Sequence, residues 1–254
     1  MKRLIAFDLD GTLAESKQPI DPDMAELLAG LLGVAQVAVI SGGDWPQFEK
    51  QVVGRMPPDA DLSRLWILPT TGAKLYRLDD GRAWRPVYAD DFSAEERARI
   101  LEAFDRAVAA AGLKEERLWG ERTEDRGTQF TFSGLGQEAP LDAKKAWDPD
   151  MAKRKALQAA LRGVLPDLSV NIGGSTSIDI TRKGVDKGWG LNRLADESGI
   201  RLGDMVFLGD AVFPGGNDYP AQEAGVDTIP VRDVAETRAV IRAMTLCLAR
   251  SDDD

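Results

Sequence analysis

The sequence predicts an α/β protein with a parallel core sheet, interrupted by an inserted α+β domain. Three observations predict it. Short β-branched apolar runs alternate with helical segments over the first third of the chain and return towards its end. Between about residues 85 and 185 this alternation gives way to helices and strands of another order. Three of the outer apolar runs end in an acid or a hydroxyl: Asp8, Ser41 and Asp210. In an open parallel sheet, ligands bind outside the carboxyl ends of the strands, so these three residues would share one edge.

Taken in order, residues 3–8 form a short apolar run closed by an acid and read as a buried strand. Asp21-Pro22 opens a helix, with the acid as N-cap, proline at the first helical position and Gly33 near its end. Residues 36–40 are a second buried strand, followed by Ser41-Gly42-Gly43 and a helix over 44–53. A third strand covers 65–68, and 73–78 adds a hairpin or edge. Ser93-Ala94-Glu95-Glu96 is a capping box for a helix to about Ala111, with Gly112 beyond it. Residues 128–132 alternate like a strand with one exposed face. Asp148-Pro149 starts a helix to Arg162, stopped by Gly163, and strands follow at 168–172 and 177–181. From Gly188 the parallel pattern resumes: a helix to about Ser198, a strand at 205–208 ending in Gly209-Asp210, and a short helix at 217–224. A strand at 228–231 and a helix at 235–248 complete it. The expected boundaries are 1–84 and 186–254 for the core and 85–185 for the insertion.

Composition narrows the function. With 254 residues, 43% of them hydrophobic and 29% charged, the chain can bury a substantial core. Its net charge of −10 argues against nucleic acid as a partner, because phosphate backbones favour basic surfaces. The Ser251–Asp254 tail supplies three of the acids and is expected to be solvated. There is no histidine, which excludes a Ser-His-Asp triad, a histidine base and histidine-ligated metals. Cys247 is the one cysteine, so no intrachain disulfide forms. The first residues run at once into Asp8 and Asp10 and do not read as a signal peptide. No apolar run approaches the roughly 20 residues of a membrane span. The expectation is a cytoplasmic protein, monomeric or a homodimer, whose chemistry rests on carboxylates, hydroxyls, Lys, Arg and a hard metal ion.

Four groups of residues carry that chemistry. Asp8-Leu9-Asp10-Gly11-Thr12 places two carboxylates on one side of an extended chain, a nucleophile beside a proton donor or acceptor. Ser41 offers a hydroxyl, and Gly42 and Gly43 offer N–H groups, to a phosphate oxygen. Lys187, in Gly-Val-Asp-Lys-Gly, can neutralise a phosphate at a loop-to-helix junction. Asp210 and Asp218, with Asp8, make an oxygen-rich nest suited to Mg²⁺. Each group alone also fits a plain structural role: a solvated acid pair, an N-cap serine, a surface lysine, a helix-start acid. Their order and their strand-end positions argue for a site.

Together these residues resemble the haloacid dehalogenase superfamily of phosphotransferases, whose four motifs appear in order as Asp8/Asp10, Ser41, Lys187 and Asp210/Asp218. The insertion is similar to the C2B cap of subfamily IIB, which includes sugar phosphatases and eukaryotic-type phosphomannomutases. The resemblance implies a Rossmann-like parallel-sheet core with an inserted α+β cap domain. It implies that Asp8 attacks phosphorus and becomes an aspartyl phosphate, while Asp10 protonates the leaving oxygen and then deprotonates the acceptor. Mg²⁺ would be held by Asp8, the carbonyl of Asp10 and Asp210, with Asp218 near, and Ser41 and Lys187 would bind the phosphoryl group.

The insertion bears on the acceptor. Arg126-Gly127-Thr128 and Gly173-Gly174-Ser175-Thr176-Ser177-Ile178-Asp179 resemble phosphomannomutase segments, which implies sugar contacts for Arg126, Ser177 and Asp179. Two arginines of those mutases have no counterpart: Ser133 stands at one position, and Ala139-Pro140-Leu141-Asp142 replaces the segment of the other. A mutase must hold a distal phosphate, and each lost Arg–phosphate pair removes roughly 1.5–3 kcal/mol. Lys144, Lys145 or Arg122 could substitute. The main expectation is therefore a Mg²⁺-dependent phosphatase acting on a sugar phosphate or similar small ester. The alternatives are a phosphohexomutase of the phosphomannomutase type and a non-catalytic phosphosugar-binding protein. Trp45, just after Ser41, is a candidate to line the site.

Overall fold

The computed structural model describes residues 2–80, 82–113 and 117–249, so the acidic tail lies outside the described residues. In chain order it contains β1 (Leu4–Phe7), α1 (Pro22–Leu32), β2 (Gln36–Ile40), α2 (Trp45–Gln51), β3 (Leu65–Leu68), β4 (Lys74–Leu78) and β5 (Trp84–Ala89). There follow α3 (Ala94–Ala110), β6 (Thr123–Asp125), β7 (Gln129–Ser133), α4 (Leu141–Trp147), α5 (Ala152–Val164), β8 (Leu168–Ile172) and β9 (Ser177–Arg182). The last stretch is α6 (Lys187–Ser198), β10 (Met205–Gly209), α7 (Tyr219–Glu223), β11 (Asp227–Pro230) and α8 (Val234–Ala249). Two compact units result, Met1–Ala89 with Val185–Asp254, and Asp90–Gly184.

The first unit is a seven-stranded sheet in the order β11-β10-β1-β2-β3-β4-β5, parallel from β11 to β3. Alternate residues of its strands feed opposite layers. Ile5, Phe7, Val37, Val39 and Leu208 pack with Leu28, Leu31 and Ile241 on one face. Leu4, Ala6, Ala38, Ile40 and Phe207 pack with Leu191 and Leu194 on the other. Both faces are covered, which is why these strands read as unbroken apolar runs rather than alternating ones. Phe7 is level with Val39 on one side and Leu208 on the other. That register brings Asp8, Ser41 and Asp210 out at one sheet edge.

The second unit is an antiparallel sheet, β6-β7-β9-β8. Phe130, Phe132, Ile178 and Ile180 face Ile100, Phe104, Leu157 and Leu161 of α3 and α5. The rings of Phe104 and Phe132 stack at 5.3 Å. By the two-residue period of a strand, Gln129, Thr131, Ser133, Ser177, Asp179 and Thr181 share the opposite, polar face.

Several elements depart from the sequence expectation. β5 extends the core sheet through Ala89 by pairing with β4, which moves the division from 84/85 to 89/90. Its exposed, proline-containing residues give no strand signal. The three-residue β6 and the short α4 are also silent in sequence. The helix expected at Asp148-Pro149 begins at Ala152, because Met151 takes a left-handed conformation (φ 61°) and reverses the chain first. Gly163 does not stop it; α5 runs to Val164. Among the described residues, no helix is long and apolar enough to cross a membrane.

Candidate active site

The end of β1 delivers Asp8 into the interior, where the residue is only 3% exposed. Its backbone N–H donates to Leu208 O at 2.9 Å, which ties the turn to β10. Gly11 follows with φ +89°, and the space its missing Cβ leaves holds the Asp210 carboxylate. Asp10 Oδ1 accepts the backbone N–H of Lys17 at 2.6 Å, and its charge is felt at Asp210. Thr12 Oγ1 is buried with no hydrogen-bond partner among the described residues.

Asp186 caps α6 by accepting Trp189 N–H at 2.8 Å, and this sets Lys187 at the first helical position. Lys187 is 1% exposed; its Nζ donates to Asp8 Oδ1 at 2.5 Å and also to Asp218 Oδ1. Asp218 is fully buried, and its other oxygen accepts Ala211 N–H at 2.9 Å. One oxygen each from Asp8, Asp210 and Asp218 lie within 4.8 Å of one another. Three carboxylates against one ammonium leave two excess negative charges in this pocket. Burial pushes the Asp8 carboxyl up to about 6, Lys187 pulls against it, and Asp218 adds to the rise. Burial and Asp218 also raise Asp210. For Lys187, burial opposes the charge, but Asp8 and Asp218 outweigh it and hold the ammonium above its ordinary range. An all-oxygen donor set with an excess charge of two fits a hard divalent cation.

Ser41 leaves β2 beside this cluster in the sheet. Its carbonyl accepts Thr71 N–H at 2.8 Å, and the Gly43 carbonyl accepts Thr70 N–H at 2.8 Å. Asp44 caps α2 through Trp45 N–H and pairs with Lys74 Nζ at 2.8 Å. Trp45 stacks on Tyr76 at 4.3 Å and lies 5.5 Å from the Trp84 ring, so it is held by its own aromatic neighbours.

In the second unit, Arg126 pairs with Glu124 at 2.8 Å, while Asp125 pairs with Arg97. Asp179 Oδ1 accepts Thr131 Oγ1 at 2.7 Å and Gln129 Nε2 at 3.2 Å. Burial raises the Asp179 carboxyl despite these bonds and the nearby Arg126. Ser177 faces Ser133 across β9 and β7. Ser133 Oγ is engaged by Gly136 O at 2.8 Å and Thr176 Oγ1 at 3.1 Å. Arg122 donates to Gly134 O at 3.1 Å and Lys144 to Gln137 O at 2.9 Å. A buried pair, Asp148–Arg154, closes at 2.8 Å, and Arg154 Nη1 also donates to Gly174 O at 2.7 Å.

The family described as eukaryotic phosphomannomutase matches residues 120–238. The chain is 26% identical over 219 residues to a phosphomannomutase of Spinacia oleracea, covering 84% of this chain and 83% of that one. It is 26% identical over 222 residues to the phosphomannomutase of Saccharomyces cerevisiae, covering 85% and 83%. Among solved structures, a haloacid dehalogenase-like hydrolase from Bacteroides thetaiotaomicron superposes with a TM-score of 0.64 at 14% identity, over 96% of this chain and all of that one. The chain is similar in sequence to eukaryotic phosphomannomutases over most of its length and shares the fold of a haloacid dehalogenase-like hydrolase.

In this phosphomannomutase-like chain, Asp8, Lys187, Asp210 and Asp218 converge. Ser41, Gly42 and Gly43 lie at the same sheet edge, and Asp10 is bonded to the backbone N–H of Lys17. Arg126, Ser177 and Asp179 belong to the polar face of the second unit. Sequence reasoning set Lys187 on the phosphoryl group and Asp218 on the metal; their direct contact was not legible, because 31 residues separate them. The Asp148–Arg154 clamp on Gly174 was also missed, since Asp148 read as a helix N-cap.

Proposed function

We propose that this protein is a sugar-phosphate phosphotransferase of the phosphomannomutase type, exchanging phosphate between the 1- and 6-positions of a hexose through Asp8. The observation that carries the phosphoryl-transfer reading is the buried Asp8–Lys187–Asp218 contact with Asp210 beside it. The relatives, all mutases by name and matched over more than four-fifths of their length, support the mutase acceptor over the phosphatase that the missing arginines suggested.

In this reading Asp8 attacks phosphorus, the bond to the sugar oxygen breaks, and Asp10 gives that oxygen a proton. Lys187 keeps Asp8 ionised and aligned and offsets charge on the equatorial oxygens. Asp10, now a carboxylate, takes the proton of the acceptor hydroxyl as it attacks the aspartyl phosphate. Mg²⁺ bound to Asp8, Asp210 and the Asp10 carbonyl, near Asp218, would polarise the phosphoryl oxygens. Arg126, Ser177 and Asp179 would bind the sugar.

A phosphatase is the second reading, favoured by Ser133. Its hydroxyl is already bonded to Gly136 and Thr176, and Arg122 and Lys144 donate to backbone carbonyls. Phosphorus NMR with Mg²⁺, mannose 1-phosphate and a trace of the 1,6-bisphosphate separates the two. Growth of a 6-phosphate signal without matching inorganic phosphate is expected; inorganic phosphate alone would replace the mutase reading with the phosphatase. A cytoplasmic, monomeric or homodimeric enzyme belongs to the same proposal.

A further inference from the structure

The least comfortable backbone in the first unit is not at the carboxylates. Thr70 (φ 48°), Thr71 (φ 60°) and Gly72 (φ 88°) are three consecutive left-handed residues. For glycine this costs nothing unusual, but a β-branched residue in this region is an outlier, and two in a row are a concentrated strain. Such strain persists only where surrounding contacts over-determine it, and here they do.

Thr71 N–H donates to Ser41 O and Thr70 N–H to Gly43 O, both at 2.8 Å. The same turn abuts α6 on its other side. A Cβ on Gly72 would lie 2.5 Å from Gly190 Cα, and a Cβ on Gly190 would lie 2.9 Å from Thr71 O. Gly190 is three residues after Lys187 in the first turn of α6. The turn is therefore wedged between the loop of Ser41 and the helix that carries Lys187. In a trans peptide C=O and N–H point opposite ways. Capturing the Ser41 carbonyl thus fixes the direction of the Gly42 N–H.

We propose that the turn at 69–72 is a positioning element, in which the left-handed backbone of Thr70 and Thr71 sets the Ser41–Gly43 loop relative to Lys187 and so shapes the phosphoryl-binding site. This rests on the reading that Asp8 is phosphorylated. The role belongs to the backbone and not to the threonine hydroxyls. Asparagine, which tolerates this region, should keep it.

The test is binding of fluoroberyllate, a mimic of the aspartyl phosphate, to the Mg²⁺-loaded full chain by fluorine NMR. Wild type should bind and Asp8→Asn should not; failure of wild type to bind overturns the phosphorylation reading and this inference with it. Given binding, Gly72→Ala should weaken it at least tenfold. Thr71→Asn and Thr71→Val should stay within twofold of wild type, with a higher Tm for Asn. Ile241→Ala, in the core far along the chain, should lower Tm without changing affinity, which separates positioning from general destabilisation. If Gly72→Ala does not fold, Gly190→Ala presses the same turn from the other side and should show the same loss. Unchanged affinity in the folded glycine variant, or a tenfold loss in Thr71→Val alone, overturns the inference while leaving the phosphorylation reading intact.

Discussion

Arg154→Met tests how the second unit holds its Gly173–Asp179 segment. Arg154 and Asp148 are almost fully buried, with side chains 8% and 1% exposed. Asp148 accepts Arg154 Nε at 2.8 Å and the backbone N–H groups of Lys153 and Arg154. Arg154 also donates to the carbonyls of Asp148 and Gly174. Methionine fills similar volume but leaves a buried carboxylate without its cation and takes the guanidinium donors from two carbonyls, which keep only the backbone N–H groups of Met151 and Ser177. Removing one partner of a buried pair costs roughly 3–5 kcal/mol. With a urea m-value of about 3 kcal/mol/M, the midpoint should fall by about 1–1.7 M at pH 7. The pH dependence adds a second signature. Burial works to raise the Asp148 carboxyl, but its hydrogen bonds and Arg154 prevail and hold it below the usual range. In wild type this contributes stability above about pH 4 that is lost as pH falls through the lowered folded value. In Arg154→Met burial is no longer offset by the cation, so the carboxyl rises and is protonated more readily. The gap between the two proteins should therefore shrink below about pH 4. Urea unfolding followed by tryptophan fluorescence at pH 7 and pH 3.5 measures both. A midpoint loss under about 0.3 M at pH 7, or a gap that widens in acid, would refute the reasoning.

Other outcomes follow from the same geometry. Asp8 titrates near 6 against an ordinary 3.8, so the chelator-treated protein should lose stability as pH rises from about 4 to 6; Asp8→Asn should flatten that slope in a Tm–pH series and abolish turnover. Mg²⁺ at 100 times its Kd should stabilise the folded chain by about 2.7 kcal/mol, read as a Tm rise that Asp210→Asn diminishes. Lys187→Met leaves Asp8 and Asp218 buried without their shared cation; aspartyl-phosphate formation from a small donor, followed by phosphorus NMR, should fall by about a thousandfold. Asp179→Asn should raise KM for the sugar phosphate about tenfold while leaving transfer from that small donor unchanged.

Most of the core architecture was legible because its signals are local. β1, β2, β3 and β10 are apolar on both faces, so four or five residues suffice to mark each one. Strand-end position then carried Asp8, Ser41 and Asp210 to one edge without any long-range knowledge. What failed was structure whose cause lies elsewhere in the chain. β5 is a strand only because β4 offers an edge, and its exposed residues carry no pattern of their own. Asp148 looks like a helix N-cap in sequence and lies four residues ahead of the first helical residue, Ala152, because Met151 turns left-handed.

The same division separates the two halves of the chemistry. The core site is dominated by charge, and charge is legible in sequence: three acids and one lysine leave an excess of negative charge whatever their exact contacts. The choice of acceptor depends instead on whether a cation meets a distal phosphate, which is a question of where each long side chain spends its hydrogen bonds. Arg126 is paired with Glu124, Arg122 donates to Gly134, and Arg154 is committed to Asp148 and Gly174. Arginine counts alone would have supplied ample positive charge to this unit. Ion pairs and backbone contacts engage these three arginines internally, and exchanging the Glu124 partner of Arg126 for a phosphate would replace one charge-assisted bond with another.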